Sequence, residues 1–324
     1  MSALTPVSLD TRINFPARRV DRSAISAGTT VLLIYLFAGL PIQIGVLTQL
    51  GLSAGEASSW FFITWLTTGL FSLVLALLTR QPASINLSIP ALIFLAGAAG
   101  GFSLPEILGA NLVVGVVAIG LSSLRLTDAF ARLVPPQIAI GVFAGSMLAF
   151  ISKTSHLAVT DLAASGPVIA GFLLALAVTR SQLLAVGAAA ASGLLVIALT
   201  GGMPSAGHSA TLPQVSMPAI DFDPSALVAL GIPLLVLTVG VGNLQALAIL
   251  RSEGYSVRGN LFGLAVGMAT VVNALGGGHA AAIGGSSTAV AAGRAAGPPA
   301  SRFWAIALSS LPVVAIALAA VPVI

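Results

Sequence analysis

The segment NALGGGHAAAIGGSSTAVAAG, from Asn273 to Gly293, decides how the rest of the chain is interpreted. It has the length and apolar character of a membrane span, but glycines interrupt it at two places, 276–278 and 284–285. Glycine is unfavourable inside a helix, so the segment does not predict an unbroken spanning helix. It also carries His279, whose imidazole binds protons near neutral pH. A broken span that holds a proton-binding side chain indicates a transport site.

The composition of the chain places it in a lipid bilayer. Hydrophobic residues make up 57% of its 324 residues and charged residues only 7%, and the mean hydropathy is +1.07. A soluble domain carries about 25% charged residues. The basic residues stand singly, which argues against nucleic-acid binding, and the absence of cysteine excludes disulfides and thiolate sites. We therefore predict an all-α polytopic membrane protein.

The apolar runs between loop signals give the number of spans, because about 20 apolar residues cross the hydrocarbon core. The predicted spans are 24–49, 56–79, 83–101, 104–123, 134–151, 162–179, 182–200, 225–248, 258–274, 278–294 and 302–324. The prediction is a multi-pass protein of the cell membrane with about eleven spans, and we expect the bacterial inner membrane. Residues 1–23 form a cytoplasmic N-terminal tail, and residues 201–224 form an extracytoplasmic loop.

Basic residues alternate between the loops in agreement with this count. With the N-terminus in the cytoplasm, every arginine falls in an inside segment and Lys153 alone lies outside. This is the asymmetry that the positive-inside rule describes. No Asp, Glu, Lys or Arg then falls in the interior of a span. His279 is left as the one side chain predicted inside the bilayer that titrates near neutral pH.

Span three is broken in a similar way to span ten. It reads QPASINLSIPALIFLAGAAGG from Gln81 to Gly101, with Pro82 and Pro90 on either side of a short polar run. Non-helical backbone at membrane depth is tolerated only where it is buried in protein or lines a cavity. The two spans lie seven apart in the predicted order. Because seven is odd, the second copy has the opposite orientation, as in transporters built from inverted repeats.

The two broken spans predict a pair of half-helices at the centre of the membrane. Residues 84–88 and 279–283 are predicted to be extended, and helices to begin near Ile89 and Gly284. Each helix N-terminus presents unpaired N–H groups and about half a positive charge, which together form an anion site without an arginine. Ser88 precedes the first helix, and three hydroxyl side chains occupy the first turn of the second.

Longer stretches give a specific resemblance. GNLQALAILRSEGY, from Gly242 to Tyr255, with the LGGGHAAAIGGSSTAVAAG stretch after it, resembles the benzoate/proton symporter family. That family has a similar Asn-Leu and Ala-x-Leu-Arg-x-x-Gly-Tyr pattern at the end of span eight and a Gly-Gly-His stretch in span ten. RQPASINLSIPALIFLAG and RLVPPQIAIGVFAGSML resemble its third and fifth spans. The similarity covers residues 24 to 324 and extends to the wider group of nucleobase and ascorbate permeases.

The resemblance implies fourteen spans in two inverted repeats of seven, divided into a core domain and a gate domain. In this chain the core domain comprises spans 1–4 (residues 24–123) and spans 8–11 (residues 225–324), and the gate domain comprises spans 5–7 (residues 124–200). Because the chain stops at Ile324, the last three gate spans are expected to be missing, as in a fragment or a truncated reading frame.

The resemblance also bears on the chemistry of the substrate. Nucleobase permeases carry a glutamate in span eight and another at the start of the span-ten half-helix, where this chain has Val239 and Gly285. No carboxylate is then available to accept the ring N–H groups of a nucleobase, whereas a carboxylate substrate needs donors. Asn243 stands at the polar position of span eight and can donate to an oxyanion. Gln245 lies about 200° further round the helix and is the weaker candidate.

The sequence therefore predicts a secondary active transporter, not an enzyme, that imports a benzoate-like aromatic carboxylate with a proton by alternating access. The predicted substrate-binding residues are Ser88, Asn243, Gly284, Gly285, Ser286, Ser287 and Thr288. His279 is the candidate proton carrier, supported by Asn86, Gly277 and Gly278. The expected partners are a small organic anion, a proton and the lipid bilayer. No metal ion or other cofactor is expected, and a homodimer is left open.

Alternatives remain for the function and for each residue. A nucleobase or inorganic-anion permease of the same fold is the second interpretation. An ion channel has no filter motif to support it, and the dispersed His156, His208 and His279 do not indicate an enzyme. His279 can equally hydrogen-bond a backbone carbonyl, and Asn243 can hold helices together. The hydroxyls of span ten can be caps, Asn86 a turn residue, and the glycines a means of close helix packing.

Overall fold

The computed structural model describes residues 19–98, 100–127, 158–200 and 215–319, together with residue 213 and single positions between 129 and 156. Most of the predicted tail and most of the predicted fifth span (134–151) lie outside the described residues, as do Lys153 and His208. Helices make up most of the described chain, and a two-stranded sheet accompanies them.

Helices of membrane-spanning length form the frame of the described structure. In chain order the elements are α1 (Arg22–Gln49), α2 (Ala54–Thr79), β1 (Ile85–Leu87), α3 (Ile89–Gly97), α4 (Leu104–Ser123), α5 (Leu162–Thr179), α6 (Gln182–Leu199), α7 (Pro224–Ser252), α8 (Gly259–Leu275), β2 (Ala281–Ile283), α9 (Gly285–Ala292) and α10 (Phe303–Ala319). Five of them, α1, α2, α4, α5 and α7, are long and apolar enough to cross a membrane. The apolar stretch Leu184–Leu199 of α6 and the helices α8 and α10 are shorter, so the total of eleven spans stays a prediction.

Polar side chains explain where the long helices begin. Ser53 and Glu56 form a capping box at α2, in which the Ser53 N–H donates to Glu56 Oε2 at 2.8 Å and the Glu56 N–H donates to Ser53 Oγ at 3.4 Å. At α7, the Ser225 hydroxyl and the Ala226 N–H donate to Asp223 and hold the pKa of that carboxyl below its usual range. Acidic residues in the loops predicted outside therefore act as helix caps.

Three arginines follow helices at the ends predicted to be cytoplasmic. Arg80, Arg125 and Arg180 come after α2, α4 and α5 and have φ values of 53°, 60° and 52°. This left-handed conformation is uncommon for a residue with a side chain, but it ends a helix in the usual way. A cation at this position also complements the helix dipole. The positive charges therefore terminate helices in addition to their predicted effect on topology.

Loops predicted on the same side of the membrane contact each other. On the predicted inside, Gln81 Nε2 donates to the Ser256 carbonyl oxygen at 2.7 Å. On the predicted outside, the Asp221 N–H donates to the Pro105 carbonyl oxygen at 3.1 Å. Both contacts agree with the predicted alternation of loops. Which end faces the cytoplasm stays a prediction.

Glycines let helices of the two predicted repeats approach closely. A Cβ atom on Gly115 of α4 would lie 2.9 Å from the Val271 nitrogen and 3.1 Å from the Gly267 oxygen, both in α8. A Cβ atom on Gly28 of α1 would lie 2.6 Å from the Ala305 oxygen in α10. Lipid provides no hydrophobic driving force between helices, so close packing of this kind holds them together.

The helices divide into a large packed group and a separate pair. Within the described residues, α1 to α4 pack with α7 to α10, whereas α5 and α6 pack mainly against each other. None of the residues of α5 is buried. The boundaries of the core and gate domains remain predictions.

The strands of the two broken spans pair with each other. β1 and β2 are antiparallel, with Ile85 opposite Ile283 and Leu87 opposite Ala281, and all six strand residues are buried. α3 begins at one end of this small sheet and α9 at the other. The two half-helix N-termini therefore face each other across about 10 Å of paired strand. These elements agree with the extended segments and helix starts that the sequence predicts.

Candidate functional site

The N-terminus of α9 is open. Gly284 occupies its N-cap position and has no side chain that could accept from the first turn. The N–H groups of Gly285, Ser286 and Ser287 consequently have no acceptor among the described residues. The positive end of the helix dipole lies at the same place, which makes this an anion site. Ser286 is exposed and the two glycines are half-buried, so a solute has access to it.

The N-terminus of α3 is closed by comparison. Ser88 Oγ accepts from the Ala91 N–H at 3.4 Å, and Pro90 has no N–H to offer. The Ser88 N–H itself donates to the Ala280 carbonyl oxygen at 3.2 Å. Ser88 is buried and lies at the opposite end of the sheet from Gly284. The structure thus gives Ser88 a capping role and does not bring it together with the other predicted substrate-binding residues.

Three hydroxyl groups meet beside the start of α9. Ser84 Oγ and Ser287 Oγ are 2.5 Å apart, and Ser287 Oγ donates to the Gly284 carbonyl oxygen at 3.2 Å. The Tyr35 hydroxyl of α1 lies beside both serines. A Cβ atom on Gly284 would collide with Ser287 Oγ, so a larger residue at this N-cap would force the Ser287 side chain to turn away. Sequence reasoning identified Ser287 but missed Ser84 and Tyr35.

Asn243 supports β2 with one end of its amide and leaves the other end free. Its Oδ1 accepts from the Ile283 N–H at 3.0 Å, whereas its Nδ2 is buried with no partner among the described residues. Thr288 Oγ1 is buried without a partner as well. A buried polar group without a partner costs about 1–3 kcal/mol. Both groups can donate, so an oxyanion would satisfy them.

Gln245 lies closer to the site than the sequence suggested. A Cβ atom on Gly285 would lie only 3.1 Å from Gln245 Oε1, so the amide of this glutamine rests against the first residue of α9. Gln245 is exposed, whereas Asn243 is buried. α7 packs against both β2 and α9, so two of its faces contribute. The signal that could have found Gln245 is Gly285, because a residue without a side chain leaves room for a neighbouring one.

His279 is fully buried beside Trp60 of α2. Its Nδ1 accepts from Trp60 Nε1–H at 3.0 Å, and the two rings stack with 5.5 Å between their centroids. A nitrogen that accepts carries no proton, so the ring is neutral with its proton on Nε2. Nε2 has no partner among the described residues. The ring does not donate to a backbone carbonyl there; instead, the His279 carbonyl oxygen accepts from Asn273 Nδ2 at 2.9 Å.

Side chains of other helices satisfy the backbone of the broken span. The Ala280 N–H donates to Asn111 Oδ1 at 2.9 Å, and the Ala281 N–H donates to Thr270 Oγ1 at 3.0 Å. The Gly284 N–H donates to the Ser84 carbonyl oxygen at 2.9 Å. These bonds replace the helical ones and explain how a non-helical segment can lie in an apolar environment.

The predicted supporting residues shape the segment before α9. Gly277 has a φ of 84°, which favours glycine, and a Cβ atom on Gly278 would lie 2.7 Å from Thr64 Cγ2. Asn86 Oδ1 accepts from the Leu87 N–H at 2.7 Å within β1. Gly277 therefore makes a turn, Gly278 permits close approach to α2, and Asn86 holds its strand. Asn86 also adjoins the start of α9, because a Cβ atom on Gly284 would lie only 3.1 Å from Asn86 Cβ.

A charged group closes the opposite end of α9. Arg302 Nη1 lies 3.0 Å from Glu253 Oε2 and also donates to the Ala292 carbonyl oxygen at 2.5 Å. A cation at the C-terminus of a helix complements its dipole. Tyr255 belongs to the same cluster. Burial raises the pKa of Tyr255 to about 12, and the charge of Arg302 opposes that rise.

Comparison with known proteins gives one family. The family model BenE, described as benzoate membrane transport protein, matches residues 18–322. No curated protein matches the chain.

Proposed function

The chain belongs to the benzoate membrane transport protein family, and on that premise we propose that it carries a benzoate-like aromatic carboxylate across the membrane. Its apolar helices and its family make it a membrane-embedded protein. The carboxylate binds at the open N-terminus of α9. The family supplies the aromatic part of this proposal, and the geometry around α9 supports the carboxylate part.

The observation that carries the proposal is the set of free donors at this helix end. Three backbone N–H groups, Asn243 Nδ2 and the Thr288 hydroxyl have no acceptor among the described residues. No acidic side chain is buried in that part of the chain. An ionised carboxylate only accepts hydrogen bonds, through two oxygens with about four lone-pair positions. Its negative charge also suits the helix dipole.

A nucleobase fits this site less well. Its ring N–H groups need acceptors, but Val239 is apolar and buried and Gly285 has no side chain. Apart from hydroxyl oxygens, Gln245 Oε1 is the side-chain acceptor that we find against the start of α9 in the described chain. An inorganic anion would use the same donors as a carboxylate. The test of function therefore has to include both competitors.

Proton coupling is the second part of the proposal. An inside-negative potential of 100 mV opposes entry of one negative charge by about 2.3 kcal/mol, and a co-transported proton cancels that cost. His279 remains the candidate carrier because its Nε2 is buried without a partner and its Nδ1 is tied to Trp60. Alternating access of the core against the gate completes the proposed cycle.

The variant Asn243→Asp tests the binding site in the purified protein in lipid nanodiscs. Aspartate keeps the oxygen that accepts from Ile283, but it replaces the Nδ2 donor with negative charge. We expect wild type to bind benzoate and the variant to lose at least about 10-fold in affinity, since a hydrogen bond to a charged group is lost and a like charge is added. The thermal unfolding temperature of the unliganded variant checks that the fold is kept.

Competition against benzoate distinguishes the functions. Substituted benzoates should displace bound benzoate, and uracil and sulfate should not. Binding of uracil or sulfate in preference to benzoate would overturn the proposal in favour of the corresponding permease.

A further inference from the structure

Tyr35 of α1 brings a free hydroxyl to the start of α9. The side chain is 5% exposed, and its oxygen has no hydrogen-bond partner among the described residues. It nevertheless lies beside Ser84 and Ser287, at the open helix end. Buried polar groups are almost always paired, so an unpaired one needs an explanation.

The protons of the neighbouring serines are already in use. Ser287 Oγ donates to the Gly284 carbonyl oxygen, and Ser84 Oγ then donates to Ser287 Oγ across 2.5 Å. Each hydroxyl has one proton. Neither serine can therefore donate to Tyr35, and the lone pairs of the two serine oxygens are the described acceptors beside the phenol proton. An ionised carboxylate is a stronger acceptor than a hydroxyl, so a bound anion would draw the phenol proton away from them.

Tyr35 also lies where the hydrogen bonding of its helix is irregular. Tyr35 is the first residue of a π-helical turn, Tyr35–Gly39, within α1. Two further π-helical stretches lie in α7, and the later one, Val236–Gly242, ends directly before Asn243, another residue with a free donor. Such turns interrupt regular helix hydrogen bonding and are frequent at functional sites. In the predicted inverted repeat, α1 and α7 are spans one and eight, so each repeat brings an interrupted helix that carries a free donor to the paired strands.

We propose that Tyr35 is a substrate-positioning residue whose hydroxyl donates to the carboxylate bound at the α9 N-terminus. The proposal rests on the proposed function, because it assigns a further contact to the same anion. The backbone N–H groups of α9 bind the carboxylate along the helix axis. Tyr35 and Asn243 donate from α1 and α7, which fixes the orientation of the carboxylate plane and hence of the ring attached to it.

The variant Tyr35→Phe removes the donor and keeps the ring. We expect the Kd for benzoate to rise by about 10-fold to 100-fold, the range for loss of a hydrogen bond to a charged group. The thermal unfolding temperature of the unliganded protein should stay the same or rise, because an unpaired buried hydroxyl is removed. A residue with a purely structural role would not combine lower affinity with undiminished stability.

The matched control is Tyr255→Phe, the same substitution in the cluster at the far end of α9. It should leave the Kd for benzoate unchanged. An unchanged Kd in Tyr35→Phe, with wild-type binding intact, overturns the role of Tyr35 and leaves the proposed function standing. A fall in the unfolding temperature of unliganded Tyr35→Phe also overturns it, since the hydroxyl would then be structural. Failure of wild type to bind any aromatic carboxylate removes both proposals.

Discussion

His279 is held in one protonation state by a single neighbour. Because Trp60 Nε1–H donates to Nδ1, a second proton on the ring would place two donors against each other. The ring has to separate from Trp60 before it can take up that proton. A proton step through His279 therefore requires the segment before β2 to move relative to α2. That requirement links protonation to conformational change in the proposed cycle.

Replacing His279 with Gln separates binding from proton coupling. Glutamine can still accept from Trp60 through its amide oxygen, but it cannot take up a proton. We expect benzoate binding to persist and benzoate-driven proton uptake into proteoliposomes to fall to the level of protein-free vesicles. His156→Gln, at an exposed position, is the control and should retain uptake. Full uptake in His279→Gln would remove this residue from the carrier role.

Tyr255 makes stability depend on alkaline pH. Its folded-state pKa is raised to about 12 from the ordinary value of 10.0, because burial disfavours the ionised phenol. The contribution of the neutral phenol to stability is complete below pH 10 and is lost as the pH rises towards 12. The unfolding temperature of the wild type should therefore decline as the pH rises from 10 towards 12. Tyr255→Phe should abolish the part of this decline that comes from ionisation of the phenol. An equal decline in the variant and the wild type would contradict this assignment.

Among the elements, the two strand-and-half-helix units could be predicted from sequence. Pro82, Pro90 and the paired glycines disfavour a regular helix, and their grouping around short polar or glycine-rich runs predicts where the breaks lie. The acceptors of the broken span could not be predicted in this way. Asn111 lies 169 residues from Ala280, whose N–H it accepts, and nothing local marks it as a partner.

At the site, too, some features could be predicted from the sequence and others could not. The open N-terminus of α9 follows from Gly284, which is visible in the sequence. The π-helical turn at Tyr35 is not visible, because YLFAG has no residue that forces an extra backbone position into a helix. Tyr35 and Gln245 were missed since their places depend on how α1 and α7 pack against α9. Tertiary packing, rather than residue type, brings them there.

The contact between α4 and α8 is a test of close helix packing. Gly115→Ala places a Cβ atom 2.9 Å from the Val271 nitrogen, which is backbone and cannot move aside. We expect a loss of about 1–3 kcal/mol in the free energy of unfolding, the usual cost of overpacking. Gly120→Ala in the same helix is the control, because nothing lies within 4 Å of its new Cβ atom. It should gain up to about 1 kcal/mol from helix propensity. Equal effects of the two substitutions, measured by denaturant unfolding in detergent, would contradict the packing.

For the whole molecule, the distribution of charge predicts which loops face the cytoplasm. Arginines follow α2, α4 and α5, and the acidic caps of α2 and α7 lie at the other ends of their helices. Contacts between loops agree with this division. The positive-inside rule then places the arginine-bearing ends in the cytoplasm.

Single cysteines can test that orientation, since the chain has none of its own. Ala54→Cys at the start of α2 and Ser252→Cys at the end of α7 both occupy exposed positions. We expect a membrane-impermeant maleimide to label the first in intact cells and the second only after permeabilisation. The reverse pattern would mean that the N-terminus lies outside.

The pairing of β1 with β2 has a consequence for the synthesis of the protein. Ile85 pairs with Ile283, so about 200 residues must be added after one strand before its partner exists. At a translation rate of about 5–20 residues per second, the first strand waits roughly 10–40 s. During that interval the backbone N–H and C=O groups of β1 lack the strand with which they later pair. Each backbone group without a hydrogen bond in lipid costs several kcal/mol. The growing chain therefore needs shelter from lipid, in a translocation channel or an insertase, until β2 emerges from the ribosome.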